Sequence, residues 1–536
     1  MKRVQLLDCT LRDGGYLVDA QFGNTVIKGM IKGLSESGIG VVECGFLKDE
    51  PHQKGSTIFN NAAQLRPFLP EDRRQTSYVC LADYSRYTIS NLEPFDGTSI
   101  DGVRACFFKN ERYDVIDFCK SIVEKGYKLY VQPVDVLGYT DAELLELIEM
   151  INPLEPYAFS LVDTFGSMYK EDLRRVFYLV NQNLNAASRI GFHSHNNLQM
   201  SFSLSQEFID MTQGLRKIVI DGTMAGMGRG AGNTNTELIM QYMNRKYNSG
   251  YDIDTVLDLI DNYIDGIRNT CTWGYSIPYY LAGSYSAHVN NISYLTAKAG
   301  ISSRDINYIL NRIGGDARKR YDYDLLEKTY MEYVGIIRDE QKEVTKLRES
   351  LQGKDILMLL PGHSIVTHKD EILKYCEEKH PIVISVNLLS HDYPINYAYF
   401  SNKKRYNYWK SSSRFSEYKK IVTSNVTNEE NKNQVILDFT RLVKCGWDQL
   451  DNSGILLLRL LDELDVASIA MAGFDGYSHD ASSTNYMQKE MEKTRNTLNA
   501  DDANRDVQSM LEDYLNTRKS DCPLSFITPS RFELNH

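Results

Sequence analysis

The sequence lacks the features that would tie it to nucleic acid or to a membrane. Acidic residues outnumber basic ones by 71 to 60, and a net charge of -11 leaves no basic field to neutralise phosphates. No stretch approaches the roughly 18 uncharged apolar residues that indicate a membrane-spanning helix. The first residues also lack the long apolar core of a signal peptide. We therefore expect a cytoplasmic protein without a nucleic-acid partner or a membrane span.

Cysteines are few and follow no pattern. The chain has 9 of them, an odd number, and no two form a C-x-x-C pair. Such a set indicates buried thiols in a reducing compartment rather than a disulfide framework. The remaining composition, 42% hydrophobic and 24% charged, is ordinary for a globular protein. A length of 536 residues predicts two or three domains.

The first part of the chain alternates between strand-like and helix-like segments. Between the strand-like runs, the apolar residues follow a helical period, which predicts a parallel sheet. Eight such units predict a (β/α)8 TIM barrel over residues 1–248. An open, doubly wound sheet is the alternative, but it would not bring the ends of the first and seventh strands together. The predicted strands are residues 4–8, 41–46, 77–82, 102–108, 128–134, 158–163, 189–193 and 217–221.

The rest of the chain predicts a helical extension with a linker, residues 249–353, and then a Rossmann-like three-layer α/β domain, residues 354–536. Helices are expected at residues 251–269, 302–313, 325–351, 455–464 and, as one or two charged helices, 487–518. Strands are expected at residues 355–360, 382–387, 397–401, 421–424, 468–472 and 524–528.

Asp13, after the first predicted strand, and His193 with His195, at the end of the seventh, predict one metal site. Residues i and i+2 of a strand point to the same side, so both imidazoles can face one point. A carboxylate and two imidazoles form an open ligand set for a divalent cation. Barrel enzymes carry their active sites at the carboxyl ends of the strands, where all three residues fall.

Other polar residues fall at the same end of the predicted strands. Arg12 precedes the metal aspartate and, as a planar charged fork, suits a carboxylate or an enolate oxygen, although a surface ion pair is the alternative. Glu43 lies within an apolar run, where a carboxylate is costly to bury without a partner, so a site role is favoured. Asp163 and Asp221 fit a structural role, bonding loop amides, at least as well as a functional one.

A glycine-rich stretch, residues 221–237, follows the eighth predicted strand. Its glycines permit left-handed turns and close approach of the backbone to a ligand. A flexible loop is the alternative, but a position at the barrel mouth favours a ligand loop. Asn233 within it could supply a fourth oxygen ligand or a hydrogen bond to a metal-bound water.

Three motifs together resemble the HMG-CoA lyase-like (DRE-TIM) metal-dependent aldolases and Claisen synthases. They are Thr-Leu-Arg-Asp-Gly at residues 10–14, the His193/His195 pair, and Gly-Arg-Gly-Ala-Gly-Asn at residues 228–233. Over about residues 1–320 the chain looks most like the 4-hydroxy-2-oxovalerate aldolase-like branch. The resemblance implies that Asp13, His193 and His195 bind Mn²⁺ or Mg²⁺ and that the metal chelates a 2-oxo acid.

The resemblance also implies that Arg12 stabilises the enolate of pyruvate. One residue departs from the family pattern, because Tyr16 stands where the bacterial 4-hydroxy-2-oxovalerate aldolases carry their acid/base histidine. A phenol is a far weaker base than imidazole near neutrality. Either the pKa of Tyr16 is strongly lowered, or a metal-bound water or another residue moves the proton.

In the C-terminal part, Asn387 ends a predicted strand, and Ser453 with Gly454 opens a predicted helix. Glycine turns at strand ends and a Ser-Gly pair at a helix N-terminus suit phosphate, so these three residues are candidate nucleotide ligands. Their order resembles the nucleotide-binding core of bacterial sialyltransferase-like proteins, although the first turn reads Pro-Gly-His-Ser and not Gly-Asn-Gly-Pro-Ser. A purely structural Rossmann-like domain is the alternative.

These observations predict a metal-dependent class II pyruvate aldolase that forms or cleaves a 4-hydroxy-2-oxo acid. Its substrates would be a 2-oxo acid and an aldehyde, with a nucleotide-linked aldehyde as one option, and the resemblance implies a role in bacterial surface-polysaccharide pathways. Its partners would be a second copy of the chain or an aldehyde dehydrogenase. Two alternatives are a Claisen-type acyl-CoA condensing enzyme and a nucleotide-binding or glycosyltransferase-like protein that uses the barrel as a scaffold.

Overall fold

The structure, a computed structural model, describes residues 3–298, 301–334, 339–413, 415–427, 429, 431–444, 446–447, 452–478, 485–487 and 500–534. The chain divides into two compact units, Met1–Val289 and Asn290–His536. The finer division at residues 248 and 353 stays a prediction. Within the described ranges, the helices are all too short or too polar to cross a membrane.

The first unit is a closed parallel barrel. Strand β1 pairs with β9 on one side and with β2 on the other, which closes a ring of eight strands, and short β3 pairs with β2 alone. The predicted TIM barrel is therefore confirmed, and the open sheet is wrong. The strands are β1 (Val4–Asp8), β2 (Val41–Leu47), β3 (Ile58–Phe59), β4 (Ser77–Asp83), β5 (Gly102–Phe107), β6 (Lys128–Pro133), β7 (Ala158–Asp163), β8 (Arg189–Ser194) and β9 (Ile218–Gly222).

Amphipathic helices cover the outside of the barrel. On the first helix the buried residues Ile27, Met30, Ile31 and Leu34 follow the i, i+3, i+4, i+7 spacing of one helix face. A π-helical turn at Ile260–Ile264 divides the helix predicted at residues 251–269. The helices are α1 (Asn24–Glu36), α2 (Val115–Glu124), α3 (Asp141–Ile151), α4 (Lys170–Asn183), α5 (Ser201–Met211), α6 (Thr236–Tyr247), α7 (Ile253–Leu259), α8 (Asp265–Arg268) and α9 (Ile277–Ser284).

Strand alternation separates two layers of buried side chains. Val4 and Leu6 of β1 point outward into the core beneath the helices, whereas Leu7 points inward and packs with Val41 and Val219 in the barrel centre. Because side chains alternate along a strand, Glu43, Arg104, His193 and Asp221 share the inward face of their strands. These polar residues therefore form a layer directly above the apolar side chains that fill the barrel centre.

The second unit is built on one parallel sheet in the order β14-β13-β12-β11-β10-β15-β16. From β10 the chain adds strands on one side as far as β14 and then returns to place β15 on the other side. This parallel sheet with intervening helices agrees with the predicted Rossmann-like domain. The strands are β10 (Asp355–Leu359), β11 (Ile382–Val386), β12 (Tyr397–Phe400), β13 (Lys419–Thr423), β14 (Gln434–Leu437), β15 (Ser468–Ala472) and β16 (Leu524–Phe526).

The remaining helices follow one another along the chain from Val289, the last residue of the first unit. They are α10 (Val289–Ala297), α11 (Ser303–Ile313), α12 (Gly315–Lys319), α13 (Tyr323–Val334), α14 (Gln341–Leu351), α15 (Ser364–Thr367), α16 (Lys369–Lys379), α17 (Lys403–Lys410), α18 (Phe439–Leu442), α19 (Ser453–Glu463) and α20 (Ala500–Thr517).

One prediction for the second unit is wrong, and one of its strands is missing from the predictions. The single helix expected at residues 325–351 is wrong, because Asp339 and Glu340 are not helical and α14 starts after them. Strand β14 was not predicted, because it has only four residues and no clear alternation of apolar and polar side chains. Of the charged helices expected at residues 487–518, residues 488–499 lie outside the described part of the chain, and the rest contains α20.

Candidate metal centre and active site

The turn after β1 fixes the position of the Asp13 carboxylate. The Asp13 N–H donates to the Cys9 carbonyl at 2.8 Å, and a 3₁₀ turn, Gly14–Leu17, begins directly after Asp13. The side chain is almost fully buried, 1% exposed, at the barrel mouth. A tight turn at the end of a strand therefore holds a carboxylate that water hardly reaches.

The structure brings the three predicted metal ligands together. The Nε2 atoms of His193 and His195 lie 3.6 and 3.9 Å from Oδ2 of Asp13, and the two rings are nearly perpendicular with centroids 5.1 Å apart. Their ligand atoms all lie within 4.8 Å of one another. Oδ2 of Asp13 is buried and has no hydrogen-bond partner, which is costly unless a cation or a polar ligand satisfies it.

The electrostatics of this cluster suit a divalent cation. Burial alone would raise the pKa of Asp13, but Arg12, His195 and His193 outweigh burial and hold that pKa well below its usual range. Burial lowers the pKa of His195 to about 3, so its ring is neutral at physiological pH. An ionised carboxylate beside a neutral imidazole is the protonation state that metal ligation requires. The residues therefore fit the expected metal.

A second carboxylate orients His193. Nδ1 of His193 lies 3.0 Å from Oδ2 of Asp221, at the end of β9, which leaves Nε2 to face Asp13. Metal-binding histidines commonly donate their other ring N–H to a carboxylate in this way, which fixes the tautomer and the ring plane. Asp221 is thus brought to the site, beneath the predicted ligands.

Arg104 links the two buried carboxylates of the barrel interior. Its guanidinium donates to Oε2 of Glu43 at 2.8 Å and also forms an ion pair with Asp221. Arg12 donates to the same Glu43 oxygen at 2.8 Å. Arg104 and Glu43 are 1% and 0% exposed, so this chain of charges is closed to solvent.

Arg104 was missed by the sequence analysis. The signal was present, because it is the one charged residue in the apolar strand Gly102–Phe107, as Glu43 is in β2. Burial opposes the charges of Asp221 and Arg104, but their mutual attraction outweighs it, lowering the pKa of Asp221 and raising that of Arg104. Both groups therefore stay ionised, and the network orients Arg12 at one end and His193 at the other.

Arg12 reaches the metal cluster directly. Its NH1 lies 3.0 Å from Oδ1 of Asp13, and its side chain is nearly buried. Burial opposes its charge, but Asp13 and Glu43 raise its pKa above the ordinary value. A permanent cation thus stands beside the Asp13 carboxylate.

A second group, Cys9 with His193 and Asp221, has ligand atoms equally close together. It suits a metal less well for two reasons. Burial raises the pKa of the Cys9 thiol, and metals bind the thiolate. Asp221 is already paired with Arg104 and His193. The Asp13 cluster is therefore the better cation site.

The glycine-rich loop positions Asn233. A β-bridge joins Asn233 to His195, and the Asn233 N–H donates to the Gly226 carbonyl at 3.1 Å. Gly226 and Gly232 have φ angles of 63° and 81°, and a Cβ on Gly232 would lie 2.0 Å from the Gly226 oxygen. Oδ1 of Asn233 is buried without a hydrogen-bond partner. Its role as a fourth ligand stays a prediction, which this unsatisfied oxygen and the bridge to His195 support.

Tyr16 stands at the rim of the site. Its ring packs edge-on against Phe46, with centroids 5.2 Å apart, and the Arg229 guanidinium lies 3.9 Å above the ring. Burial raises the pKa of Tyr16, although Arg229 and Arg12 act against it. The surroundings of Tyr16 within the protein do not lower its pKa, and its part in proton transfer stays a prediction.

Asp163 and Asp8 face away from the metal cluster. Asp163 accepts the backbone N–H groups of Ser167 at 2.9 Å and Met168 at 3.3 Å, and burial raises its pKa to about 7. Asp8 accepts from the Thr236 hydroxyl at 2.6 Å and the Thr10 N–H at 3.0 Å. Both carboxylates thus organise the loops that carry the site.

Part of the chain is similar to known proteins. Residues 106–262 match the HMGL-like family model. Among similar sequences, the 4-hydroxy-2-oxovalerate aldolase of Pseudoalteromonas translucida (strain TAC 125) is 27% identical over 330 residues, which cover 58% of this chain and 91% of that protein. The oxaloacetate decarboxylase of Mycobacterium tuberculosis (strain ATCC 25618 / H37Rv) is 28% identical over 311 residues, 55% of this chain and 88% of that protein.

A solved HMG-CoA lyase from Brucella melitensis superimposes with a TM-score of 0.40 and 15% identity, covering 50% of this chain and 100% of that one. Each of these three proteins covers only part of this chain, between 50% and 58% of it. The barrel of this protein contains an HMGL-like domain.

Proposed function

We propose that the barrel is a divalent-metal-dependent pyruvate aldolase that forms or cleaves a 4-hydroxy-2-oxo acid. The observation that carries the proposal is the unsatisfied, buried Asp13 oxygen faced by two imidazole nitrogens, with Arg12 beside it. The two relatives are named for different reactions, aldol cleavage and decarboxylation. Both break a carbon–carbon bond at the carbon next to a 2-oxo group and so require the same enolate.

The metal ligands would be Asp13, His193 and His195, with Asn233 as a candidate fourth. A bound Mn²⁺ or Mg²⁺ would act as a Lewis acid that polarises the 2-oxo group.

The chain's own residues would do the rest. Arg12, permanently charged, would hold the substrate carboxylate or the developing enolate oxygen. Glu43 and Arg104 would be positioning residues, because Glu43 is sealed beneath Arg12 and touches two guanidinium groups. Tyr16 would donate a proton or a hydrogen bond from the rim, consistent with its raised pKa.

The test follows deuterium entry into the methyl group of pyruvate in D₂O by mass spectrometry, since enolate formation needs no aldehyde. With Mn²⁺ the wild type should exchange well above the metal-only rate, and His193→Ala should lose on the order of 100-fold or more. His391→Ala, an exposed histidine outside the barrel, is the control and should match the wild type. Equal exchange by wild type and His193→Ala would contradict the metal site.

Three further assays separate the reactions. The proposal expects pyruvate release from 4-hydroxy-2-oxovalerate in the presence of Mn²⁺. Release of CO₂ from oxaloacetate alone would retain the enolate site but overturn the aldolase proposal. Thiol release from acetyl-CoA mixed with a 2-oxo acid would point instead to Claisen chemistry. The pathway and an aldehyde dehydrogenase partner stay predictions from the resemblance.

A further inference from the structure

The second unit contains a cavity of about 220 Å³ at the carboxyl edge of its parallel sheet. Its lining includes residues that follow five consecutive strands from β10 to β14 as well as β15, and residues at the start of α19. Between β10 and β15 the order of strands reverses, because β11 lies on one side of β10 and β15 on the other. Open parallel sheets bind their ligands in the crevice at such a point.

Glycine turns bring two loops together at the floor of this crevice. The Leu360 N–H donates to the Ala472 carbonyl at 2.8 Å, and the Gly362 N–H donates to the Gly473 carbonyl at 3.0 Å. Gly473 has a φ of 80°, and a Cβ there would lie 2.2 Å from the Leu360 oxygen. Only glycine allows this approach, so backbone and not side chains forms the floor.

Two candidate ligands predicted from the sequence meet in the cavity wall. They are Asn387, directly after β11, and Ser453, at the start of α19. Nδ2 of Asn387 donates to Oγ of Ser453 at 2.8 Å, and the Ser401 hydroxyl donates to the same oxygen at 2.7 Å. Asn387 is held in the left-handed region, with a φ of 55°, and is 7% exposed. With both acceptor positions of the Ser453 oxygen occupied, its O–H is left to donate.

This donor stands at the positive end of an 11-residue helix. Ser453 is the first residue of α19, and Asn452 caps the helix by accepting the Gly454 N–H at 2.8 Å. Residues Asn452, Ser453 and Gly454 all line the cavity. A hydroxyl donor and the positive end of the helix dipole therefore lie together in the cavity wall, which favours an anion.

Two cationic side chains line the same cavity. Lys403 and Arg405 belong to the first turn of α17, directly after β12. Nζ of Lys403 lies 3.4 Å from Oδ1 of Asp305, and the Arg405 guanidinium lies 5.2 Å from the centre of the Tyr486 ring. Lysine and arginine at a strand end beside a helix N-terminus suit a phosphate.

The two carboxylates of the lining already accept hydrogen bonds from other residues of the second unit. Asp475 accepts the Ser364 N–H at 2.7 Å and also the Ser364 hydroxyl. Asp305 accepts the Ser302 N–H at 2.8 Å and the Tyr333 hydroxyl at 2.7 Å. Their hydrogen-bonding capacity is thus largely used inside the fold.

Aromatic side chains complete the lining. Phe439, Phe474 and Tyr477 follow β14 and β15 and border the cavity. Their rings offer apolar faces on which a planar base can pack. The cavity therefore combines a phosphate-binding end with a surface for a flat ring.

We propose that the second unit binds a nucleoside phosphate in this cavity, with the phosphate at Ser453, Lys403 and Arg405 and the base against the aromatic residues. The site is separate from the barrel chemistry and lies wholly within the second unit.

Calorimetric titration of the full chain with CMP, UMP, AMP and GMP tests the proposal. At least one of them should bind with a Kd below about 1 mM, and its nucleoside and inorganic phosphate should each bind at least about tenfold more weakly. No heat from any of the four at about 5 mM would overturn the proposal. Equal binding of inorganic phosphate would overturn the nucleoside part.

Charge variants then locate the site. Lys403→Gln and Arg405→Gln should each weaken the nucleotide at least about fivefold, because each removes one phosphate contact. Lys410→Gln removes the same charge from the exposed far end of α17 and should bind within about twofold of the wild type. Unchanged binding in both cavity variants, with their thermal unfolding intact, would exclude this cavity as the site.

His193→Ala distinguishes failure here from failure of the aldolase proposal. It should bind the nucleotide as the wild type does while losing pyruvate exchange, since the two sites share no residue. Loss of nucleotide binding in that variant would place the nucleotide in the barrel and overturn the cavity assignment.

Discussion

At the scale of single residues, the central observation is that one buried arginine serves two carboxylates. Arg104 bonds Glu43 beneath Arg12 and pairs with Asp221 beneath His193. Charges of this kind are expensive to bury, and their ion pairs within one network offset part of that cost. The orientation of Arg12 and His193 therefore depends on Arg104, although the ion pairs of Arg104 are with Glu43 and Asp221 and not with the predicted metal ligands.

Replacing Arg104 should damage both the stability and the site. Arg104→Met leaves Glu43 and Asp221 short of a partner, and we expect a loss of about 3 kcal/mol or more in the free energy of unfolding, measured in urea. Arg104→Lys keeps the positive charge but loses the planar guanidinium group. A single ammonium group cannot reproduce the contacts with both Glu43 and Asp221.

For Arg104→Lys we expect a folded protein in which Mn²⁺ binds about 10- to 100-fold more weakly, because His193 loses its fixed orientation. Metal content after dialysis provides the measurement. Arg74→Lys, at an exposed position, is the control and should retain metal like the wild type. Wild-type Mn²⁺ affinity in Arg104→Lys would refute the positioning role.

Asp8 gives a prediction on pH. Burial raises its pKa from 3.8 to about 6, so between these pH values the folded state holds a proton that the unfolded chain has released. Stability due to Asp8 is therefore greatest below this window and falls as pH rises through it, by roughly 3 kcal/mol in all. Asp8→Asn cannot ionise and should escape this loss.

Urea unfolding of wild type and Asp8→Asn at about pH 4 and about pH 7 measures the effect. The variant should gain stability relative to the wild type as the pH rises, and other titrating groups cancel in the comparison. A difference that stays constant between the two pH values would show that Asp8 is ionised throughout.

At the scale of elements, the loop after β9 matters because its glycines set the position of Asn233 and the backbone next to His195. The Asn196 N–H donates to the Gly232 carbonyl at 2.8 Å, and the β-bridge from Asn233 continues this contact. A side chain at Gly232 would collide with the Gly226 carbonyl, so Gly232 would have to move and would disturb its contact with Asn196.

Gly232→Ala should therefore lower metal affinity by at least about tenfold, beyond the roughly 1 kcal/mol of left-handed strain in stability. Gly214→Ala is a matched control, since Gly214 has a φ of 77° against 81° for Gly232 but nothing within 4 Å of an added Cβ. Both variants should lose similar backbone freedom, and only Gly232→Ala should lose Mn²⁺ affinity by calorimetry. Equal affinity in the two would show that the loop does not position the site.

At the scale of the whole molecule, the chain consists of two units that each have their own sheet and their own buried core. A metal bound only by the folded barrel stabilises that unit by mass action, by about 2.7 kcal/mol at a hundredfold excess over Kd.

Calorimetric heating of the full chain should accordingly resolve two transitions, of which Mn²⁺ raises only one. In His193→Ala, Mn²⁺ should raise neither. A single transition that Mn²⁺ shifts as a whole would show that the units unfold together.

The strands of the barrel were predictable because each is a short apolar run with a clear boundary. All eight predicted runs coincide with strands to within one or two residues, and the ring closes as the eight-unit pattern predicts. Short β14 escaped prediction because its four residues carry little periodic signal and owe their form to the neighbouring strand β13. Pairing partners, and not local sequence, decide such edge strands.

By itself the sequence determined the barrel, the trio Asp13, His193 and His195, and the candidate residues Asn387 and Ser453, because periodicity and motif order are local properties. Only the tertiary structure decided that Glu43 lies beneath Arg12 and that Arg104 joins it to Asp221, since residues 61 and 117 positions apart meet there. It also decided the surroundings of Tyr16, whose ring packs against Phe46 beneath the Arg229 guanidinium. The local sequence pattern identifies the candidate reactive groups, whereas packing determines their charge states and the orientation of their side chains.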